Sequence, residues 1–257
     1  MSRSRRCPSP HSVLLFALGP LLLCGWHPAR AETHRPAPGT VATARTVAPA
    51  ADPPEPPPAD RMPDGSLTND HVARARDLFT AGQFKEAAEI LEQLVRERPD
   101  HFDSLYNLGL AREAQNDMAA AAAVYARAVR SKPADVDARL RLTETLRKAG
   151  RFADALAAGK EALTLAQKLS APAALQAQIF DELGLCQRRL GDLKAAEASF
   201  RSALAQAPAL PAVRLHLATT LAAAGRCPEA LRQADSLPKT APFAEQVAKL
   251  RAGCSQK

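Results

Sequence analysis

The chain has 257 residues, which is enough for one or two domains. Aromatic residues make up only 4% of it, and alanine and leucine are abundant, a composition that suits helices packed through small residues. The formal net charge of +7 is misleading, because residues 1–31 contain four arginines and no acid. Without that segment 30 basic residues face 27 acidic ones, which argues against a nucleic-acid-binding platform with a clustered basic surface.

Residues 1–31 have the pattern of a cleavable secretory signal peptide. A basic start is followed by an apolar run from Val13 to Cys24, and Ala29-Arg30-Ala31 forms an A-x-A cleavage site. Cleavage at this site would leave Glu32 as the first residue. We therefore expect an exported protein that resides in the periplasm or cell envelope or is secreted.

Two alternatives would tie the chain to a membrane through this segment. An uncleaved signal would act as an anchor, but the apolar run is shorter than the roughly 20 residues that a spanning helix needs, and Pro20 interrupts it. Lipid attachment to Cys24 would resemble the lipoprotein pattern only with a small residue before the cysteine, and Leu23 is large. Apart from these two cases, no membrane contact is expected.

Residues 32–66 are predicted to be a disordered linker rich in proline and alanine. Runs such as Pro56 to Pro58 favour extended conformations and cannot form a packed core. We interpret the segment as a spacer. The alternative is a ligand for a proline-binding groove, for which the sequence holds no specific motif.

Between residues 67 and 238 a pattern of two amphipathic helices joined by a tight turn recurs about five times. The first copy covers 68–99 and the second covers 102–133, and their closing prolines lie 34 residues apart. The second copy carries small or apolar residues at Leu105, Leu108, Gly109, Ala121, Tyr125, Ala128 and the closing Pro133.

The third copy, which starts at Val136, departs from this pattern. Gly159 stands where other copies place a large residue, and the second helix is predicted to run on to about Leu169. The fourth copy, 177–208, returns to the pattern with Phe180, Leu183, Gly184, Ala196, Phe200, Ala203 and Pro208. The fifth copy starts near Pro211, and its second helix is expected to be short, because Pro238 follows.

These shared positions resemble the tetratricopeptide repeat, whose period is about 34 residues. The segment LYNLG at 105–109, with the alanine, aromatic residue, alanine and proline that follow it, is a close match to the family pattern. The resemblance covers roughly three quarters of the chain. It implies an all-α fold, a right-handed superhelix of stacked antiparallel helix hairpins with a concave binding face, and it implies no chemistry.

Residues 239–257 are predicted to form a C-terminal capping helix. Phe243, Val247, Leu250 and Cys254 share one stripe of this helix, and charged residues occupy the opposite side. Stacked arrays need a terminal element that is apolar inside and polar outside. The last helix therefore closes the predicted array.

Three cysteines follow the signal segment. Cys227 starts the second helix of the fifth copy and Cys254 ends the cap, so antiparallel helices would bring both to the same end. We predict a disulfide between them, which would tie the cap to the array. Cys186, on the first helix of the fourth copy, is expected to be a small buried apolar residue.

The sequence offers no motif for catalysis or for a cofactor. It contains no HExxH, paired CxxC, GxSxG, phosphate-binding glycine loop or dinucleotide fingerprint. His71, His101 and His216 do not recur at ligand spacing. We therefore expect no enzyme, no cofactor, no metal site and no small-molecule substrate.

The predicted function is a non-catalytic scaffold or adaptor that binds a peptide or a partner helix in the concave groove. The alternative is a self-associating structural component of an envelope assembly, secretion or maturation complex. The resemblance implies that first helices line the groove. Residues expected on the exposed side of those helices are Arg76, Phe79, Tyr106, Asn107, Leu110, Leu140, Arg141, Glu144, Arg147, Asp181 and Arg188.

One part of the family binds a partner's terminal carboxylate with two asparagines and three basic residues on three adjacent first helices. Asn107 and Arg141 match two of those five positions in this chain. The other three positions hold Val72, Arg76 and Asp137. Because Asp137 reverses a charge, we do not expect this clamp.

Overall fold

The computed structural model describes residues 69–255, so the predicted signal peptide and linker lie outside the described residues. Across this range the chain forms eleven α-helices and no strand, and the predicted all-α fold of stacked hairpins is confirmed. Five consecutive pairs are formed by α1 Asn69–Thr80, α2 Phe84–Glu97, α3 Phe102–Ala114, α4 Met118–Ser131, α5 Val136–Lys148, α6 Phe152–Lys168, α7 Ala173–Arg189, α8 Leu193–Gln206, α9 Pro211–Ala223 and α10 Cys227–Asp235. A single helix, α11 Phe243–Ser255, follows them.

The turn inside each pair contains a residue in the left-handed region, which is glycine in four pairs and Asn116 in α3–α4. At Gly191, where φ is 87°, a residue with a Cβ would be strained. The next amide, Asp192 N–H, donates back to the Gln187 carbonyl at 3.0 Å and thereby closes the end of α7. The Asp192 carboxylate then accepts from the Ala195 amide at 2.9 Å and caps α8.

Small residues on one helix let a large side chain of the paired helix fill the space between them. A Cβ on Gly109 would lie 2.5 Å from the Tyr125 ring, and one on Gly184 would lie 2.6 Å from the Phe200 ring. Both rings are fully buried. The glycines are therefore required by the close approach of α3 to α4 and of α7 to α8.

The third pair exchanges the small and large positions. Thr143 on α5 stands where the neighbouring pairs have glycine, and Gly159 on α6 stands where they have an aromatic ring. The space above Gly159 is filled by Leu183 of the next pair, whose Cδ2 lies 2.8 Å from the place of an added Cβ. The long second helix is confirmed, since α6 ends at Lys168 with Leu169 as its C-cap.

The pairs stack in sequence order, and their first helices lie toward one side. Each second helix packs against the first helix of the next pair, as α4 does with α5 and α6 with α7. In addition α7 approaches both α5 and α9, the first helices of the adjacent pairs. An array in which first helices approach one another curves toward them, which places α5, α7 and α9 on its inner side.

The C-terminal end is packed more lightly than the middle. The fifth pair has Ala218 and Ala234 at the positions that hold Gly184 and Phe200 in the fourth pair. Together with Leu215 and Leu237 they form a cluster that α11 covers with Leu250, its one buried residue in the described range. The end of the array therefore buries smaller side chains than its centre.

Cys227 and Cys254 form a disulfide between the start of α10 and the end of α11, with their Cα atoms 5.5 Å apart. Cys186 is a free, fully buried cysteine, so the prediction of its burial is confirmed. Burial raises the pKa of the Cys186 thiol to about 11.

In the described part of the chain, no helix combines the length and the apolar character that crossing a bilayer requires.

Candidate functional site

The candidate site is the strip of side chains that the first helices α1, α3, α5, α7 and α9 leave accessible, which we call the first-helix face. Of the residues predicted for it, six charged ones are at least partly exposed, in addition to Phe79. They are Arg76, Arg141, Glu144, Arg147, Asp181 and Arg188. Arg76 is the most exposed of them, and its guanidinium lies 3.7 Å from Asp77. Phe79 is half-buried and packs against the core clusters of the first two pairs.

The prediction of exposed side chains is wrong for four residues, because Tyr106, Asn107, Leu110 and Leu140 are all buried. A first helix in the array is covered by its own second helix, by the second helix of the preceding pair and by its neighbouring first helices. Only a narrow strip of each first helix remains accessible. Tyr106 and Leu110 consequently lie in one core cluster with Tyr125 and take no part in the surface.

Hydrogen bonds connect α3 and α5 across the first-helix face. The Tyr106 hydroxyl donates to the Asp137 carboxylate, and Lys148 Nζ lies 2.9 Å from Glu113 Oε1. The Tyr125 hydroxyl donates to the other Glu113 oxygen at 2.9 Å. Burial, together with Glu113, raises the pKa of Tyr125, so its phenol remains a neutral donor.

A bidentate ion pair connects α5 and α7. Arg147 Nε donates to Glu182 Oε2 at 2.5 Å, and Arg147 Nη2 donates to Glu182 Oε1 at 3.2 Å. Glu182 is 9% exposed, so this charge is held almost out of water by one guanidinium. Burial disfavours the Arg147 cation, but the bonds to Glu182 outweigh burial and its pKa is raised.

The contacts between α7 and α9 are of a different kind. Asp181 Oδ1 lies 2.8 Å from His216 Nδ1, and Arg188 Nη1 donates to Thr219 Oγ1 at 2.7 Å. Arg188 thus meets a hydroxyl, where Arg147 meets a carboxylate. The contact between α7 and α9 therefore contains a weaker pairing of charges than the contact between α5 and α7.

Glu144 lies in the middle of the face, and its Oε2 is 3.3 Å from Arg141 Nη1 on the same helix. Burial raises the pKa of Glu144 to about 7 and outweighs the opposing effect of Arg141, while Glu182 pushes the pKa in the same direction as burial. Near neutral pH the carboxyl is therefore present in both protonation states. A buried Arg141 Nε has no hydrogen-bond partner among residues 69–255.

Sequence reasoning missed four members of this face, namely Lys148, Glu182, His216 and Thr219. One signal would have found three of them. Glu113 and Lys148, Arg147 and Glu182, and Asp181 and His216 are each 35 residues apart. Complementary polar or charged residues at this fixed separation, slightly longer than one repeat, indicate contacts between consecutive first helices.

The face presents fixed charges and hydrogen-bond donors. A surface cleft of about 590 Å³ lies away from this face, beside α8 and the turn that precedes α10. Its Glu197 is held by Arg201 at 2.5 Å and Arg226 at 2.6 Å. No group of three potential metal ligands occurs in the described residues. The geometry of the first-helix face suits recognition of an extended polypeptide.

Comparison with family models and known proteins agrees with this geometry. Three models described as tetratricopeptide repeat match residues 72–136, 137–209 and 188–254. No curated protein matches the chain at the level of sequence.

Several solved structures have the same fold. Residues 41 to the end of MamA from Desulfovibrio magneticus RS-1 are 19% identical with a TM-score of 0.57, over 73% of this chain and 94% of that one. PilF from Pseudomonas aeruginosa is 18% identical with a TM-score of 0.57, over 73% and 87%. YrrB, described as a TPR protein with an unusual peptide-binding site, is 16% identical with a TM-score of 0.58, over 71% and 90%. At these identities the likeness shows the fold alone.

Proposed function

Because the chain belongs to the tetratricopeptide repeat family, we propose that it is a protein-interaction scaffold whose first-helix face binds a peptide or helical segment of a partner protein. The observation that carries this proposal is the row of buried and half-buried polar and charged side chains that crosses consecutive first helices. Arg147, Glu182, Asp181 and His216 are each held by a residue of the neighbouring helix. A surface fixed in this way loses little conformational freedom when a partner binds.

The chemistry of the face favours a polypeptide partner. Charged groups of both signs lie along it, and partly buried side chains such as Phe79 and Leu185 supply apolar area between them. A mixture of apolar anchors and polar neighbours is typical of transient protein interfaces. YrrB, which is described as having an unusual peptide-binding site, has the same fold and gives the proposal a precedent.

We further propose that the protein acts outside the cytoplasm, in the periplasm or cell envelope. The basic start, apolar run and A-x-A site of residues 1–31 support export. The disulfide between Cys227 and Cys254 fits an oxidising compartment. Edman sequencing of the protein purified from cell fractions tests this directly. A chain that begins at Glu32 in the envelope fraction is expected, and an intact Met1 in the cytosol would contradict it.

Photo-cross-linking in the native cells tests the binding face. A photoreactive residue at Lys148, on the first-helix face, is expected to form a covalent adduct with a partner protein. The matched control places it at Lys160, which is exposed on the second helix α6. Adducts from Lys160 alone, or equally from both positions, would show that the first-helix face is not the binding surface. An adduct of twice the chain mass would instead support self-association.

A further inference from the structure

Arg188 differs from three cations of the first-helix face on α5, each of which faces a carboxylate. Arg141 is paired with Glu144, Arg147 with Glu182 and Lys148 with Glu113. Arg188 is also half-buried, yet no carboxylate of the described residues lies within 4.0 Å of it, and its one hydrogen bond goes to the Thr219 hydroxyl. It is thus a partly desolvated cation without a counter-ion in residues 69–255.

The reason for this is visible in the repeat register. Arg147 and Arg188 are equivalent, because each lies three residues before the positive-φ glycine that ends its helix, Gly150 and Gly191. Glu182, which pairs with Arg147, lies nine residues before Gly191. The residue at the same place in the next pair is His216. A histidine therefore stands where the array would otherwise supply a carboxylate to Arg188.

His216 does not replace the missing charge. Its Nδ1 is engaged with Asp181 at 2.8 Å, so this carboxylate is also committed. Burial lowers the pKa of Arg188, the neighbouring Arg189 and Arg147 act in the same direction, and only Asp181 opposes them. A guanidinium remains charged in proteins at any ordinary pH, so the cost of its burial persists until an anion approaches.

The free part of the guanidinium has the geometry for a carboxylate. Arg147 binds Glu182 through Nε and Nη2, the edge whose two N–H groups match two carboxylate oxygens. In Arg188 the bond to Thr219 uses Nη1, which leaves the Nε–Nη2 edge without a partner in the described chain. The Nε–Nη2 edge is thus occupied by a carboxylate in Arg147 of the third pair and unoccupied in Arg188 of the fourth pair.

We propose that the Nε–Nη2 edge of Arg188 binds a glutamate or aspartate side chain from an acidic segment of the partner, as Glu182 is bound by Arg147. This inference rests on the proposed function and specifies its partner, a polypeptide with acidic side chains. The carboxylate completes the series of ion pairs along the first helices at the one equivalent arginine that lacks it.

Arg189 supplies a matched control for the test. It shares the last turn of α7 with Arg188 and therefore shares the favourable position of a cation at a helix C-terminus. It differs in being exposed, and its guanidinium lies over the Phe152 ring, 5.8 Å from the ring centroid. A difference between variants at the two positions therefore reports the open edge of Arg188 and not the net charge.

The experiment measures fluorescence anisotropy with the mature chain, residues 32–257, and three labelled twelve-residue peptides. The first alternates glutamate with alanine and has an amidated C-terminus. The second has glutamine in place of glutamate and is also amidated, and the third is the glutamine peptide with a free carboxyl terminus. We expect the glutamate peptide to bind most tightly and Arg188→Gln to weaken it about tenfold, the effect of losing hydrogen bonds to a charged group. Arg189→Gln should change it less than about twofold.

Several outcomes would overturn the inference. Equal losses in the Arg188→Gln and Arg189→Gln variants would indicate general charge attraction. Arg188-dependent binding of the free-carboxyl glutamine peptide alone would assign the site to a chain terminus. The Arg188→Lys variant keeps the positive charge but cannot form the bidentate bond of a guanidinium. Its affinity for the glutamate peptide should therefore fall nearly as much as that of Arg188→Gln.

The proposed function is separable from this inference. If the Lys148 adduct forms equally in the Arg188→Gln background, the scaffold proposal stands and the assignment of Arg188 fails. If no adduct forms with the unaltered Arg188, the scaffold proposal fails, and the peptide measurement still decides whether the edge binds carboxylates.

Discussion

The fourth and fifth helix pairs occupy equivalent places in the array, but different interactions hold them together. In α7–α8 the Phe200 ring lies directly over Gly184 and is fully buried. In α9–α10 the equivalent residues are Ala234 and Ala218, and a disulfide ties the covering helix α11 to α10. Where one large side chain fills the contact, packing suffices. Where both positions are small, the chain adds a further helix and a covalent bond.

Removal of the Phe200 ring is expected to have the largest effect on stability and tests the difference between the two pairs most directly. Phe200→Ala is expected to lower the free energy of unfolding by about 3–5 kcal/mol, because it removes a fully buried aromatic side chain and leaves a cavity over Gly184. Ala234→Gly, at the equivalent position of the fifth pair, should cost about 1 kcal/mol. Urea unfolding followed by circular dichroism measures both. Similar losses for the two variants would show that the pairs do not differ in this way.

Removing the covalent bond tests the other half of the comparison. The cysteines are 27 residues apart in sequence. The chain-entropy model assigns about 3.5 kcal/mol to closing a loop of that length. With Cys227→Ser and Cys254→Ser together, we expect amide hydrogens of α11 to exchange faster while those of α7 and α8 are unchanged, as measured by mass spectrometry. Unchanged exchange in α11 would mean that the Leu250 contact alone holds the cap.

Two glycine substitutions sharpen the contrast with a smaller effect. Gly184→Ala places a Cβ 2.6 Å from the Phe200 ring and should destabilise the protein by about 1–3 kcal/mol. Gly253→Ala in α11 has no atom within 4 Å of the new Cβ and should stabilise its helix by up to about 1 kcal/mol. Melting temperatures that move in opposite directions are expected. A Gly184→Ala variant as stable as the parent would show that the ring can shift away.

The pH dependence separates the central face from the C-terminal end. The pKa of Glu144 is about 7 in the folded protein, above its ordinary value of 4.5, so the folded state holds the proton more strongly. The resulting stabilisation is fully present below pH 4.5 and is lost as the pH rises through 7. Relative to Glu144→Gln, the parent should lose roughly 1–3 kcal/mol of stability between pH 5 and pH 8 in urea titrations.

Glu245 on α11 is the control for this titration. It is exposed, and Lys249 lowers its pKa, so it stays ionised throughout the same pH range. Glu245→Gln should therefore leave the change in stability between pH 5 and pH 8 as it is in the parent. A parent curve parallel to that of Glu144→Gln would contradict the assigned pKa.

The fold could be predicted from the sequence because its rules are local. Turn residues such as Gly191 and the pairing of Gly184 with Phe200 recur at fixed spacing, and each one reports a contact within a single hairpin. Gly159 also indicated in the sequence that the third pair departs from the pattern of the others. What the sequence could not show was that Leu183, from the next hairpin, fills the space above this glycine.

The site was harder to predict because it depends on contacts between hairpins. The helical periodicity of a single hairpin places Tyr106 and Leu140 on its exposed side. In the array, however, helices of the neighbouring pairs cover both residues. The charged residues predicted for the strip are at least partly exposed, but Arg147 and Asp181 are bound by Glu182 and His216 of the next first helix. Complementary polar or charged residues 35 positions apart in the sequence indicate these pairs.

The exchange of Thr143 and Gly159 has a consequence for how this array can be shortened or rearranged. The second and fourth units each carry their own glycine and ring, Gly109 with Tyr125 and Gly184 with Phe200. In the third unit the space above Gly159 is filled by Leu183 of the fourth unit together with Thr143 of α5, so a truncation after α6 would remove part of this filling. Recombination that shuffles repeats is therefore expected to keep these two units together as a single inherited block.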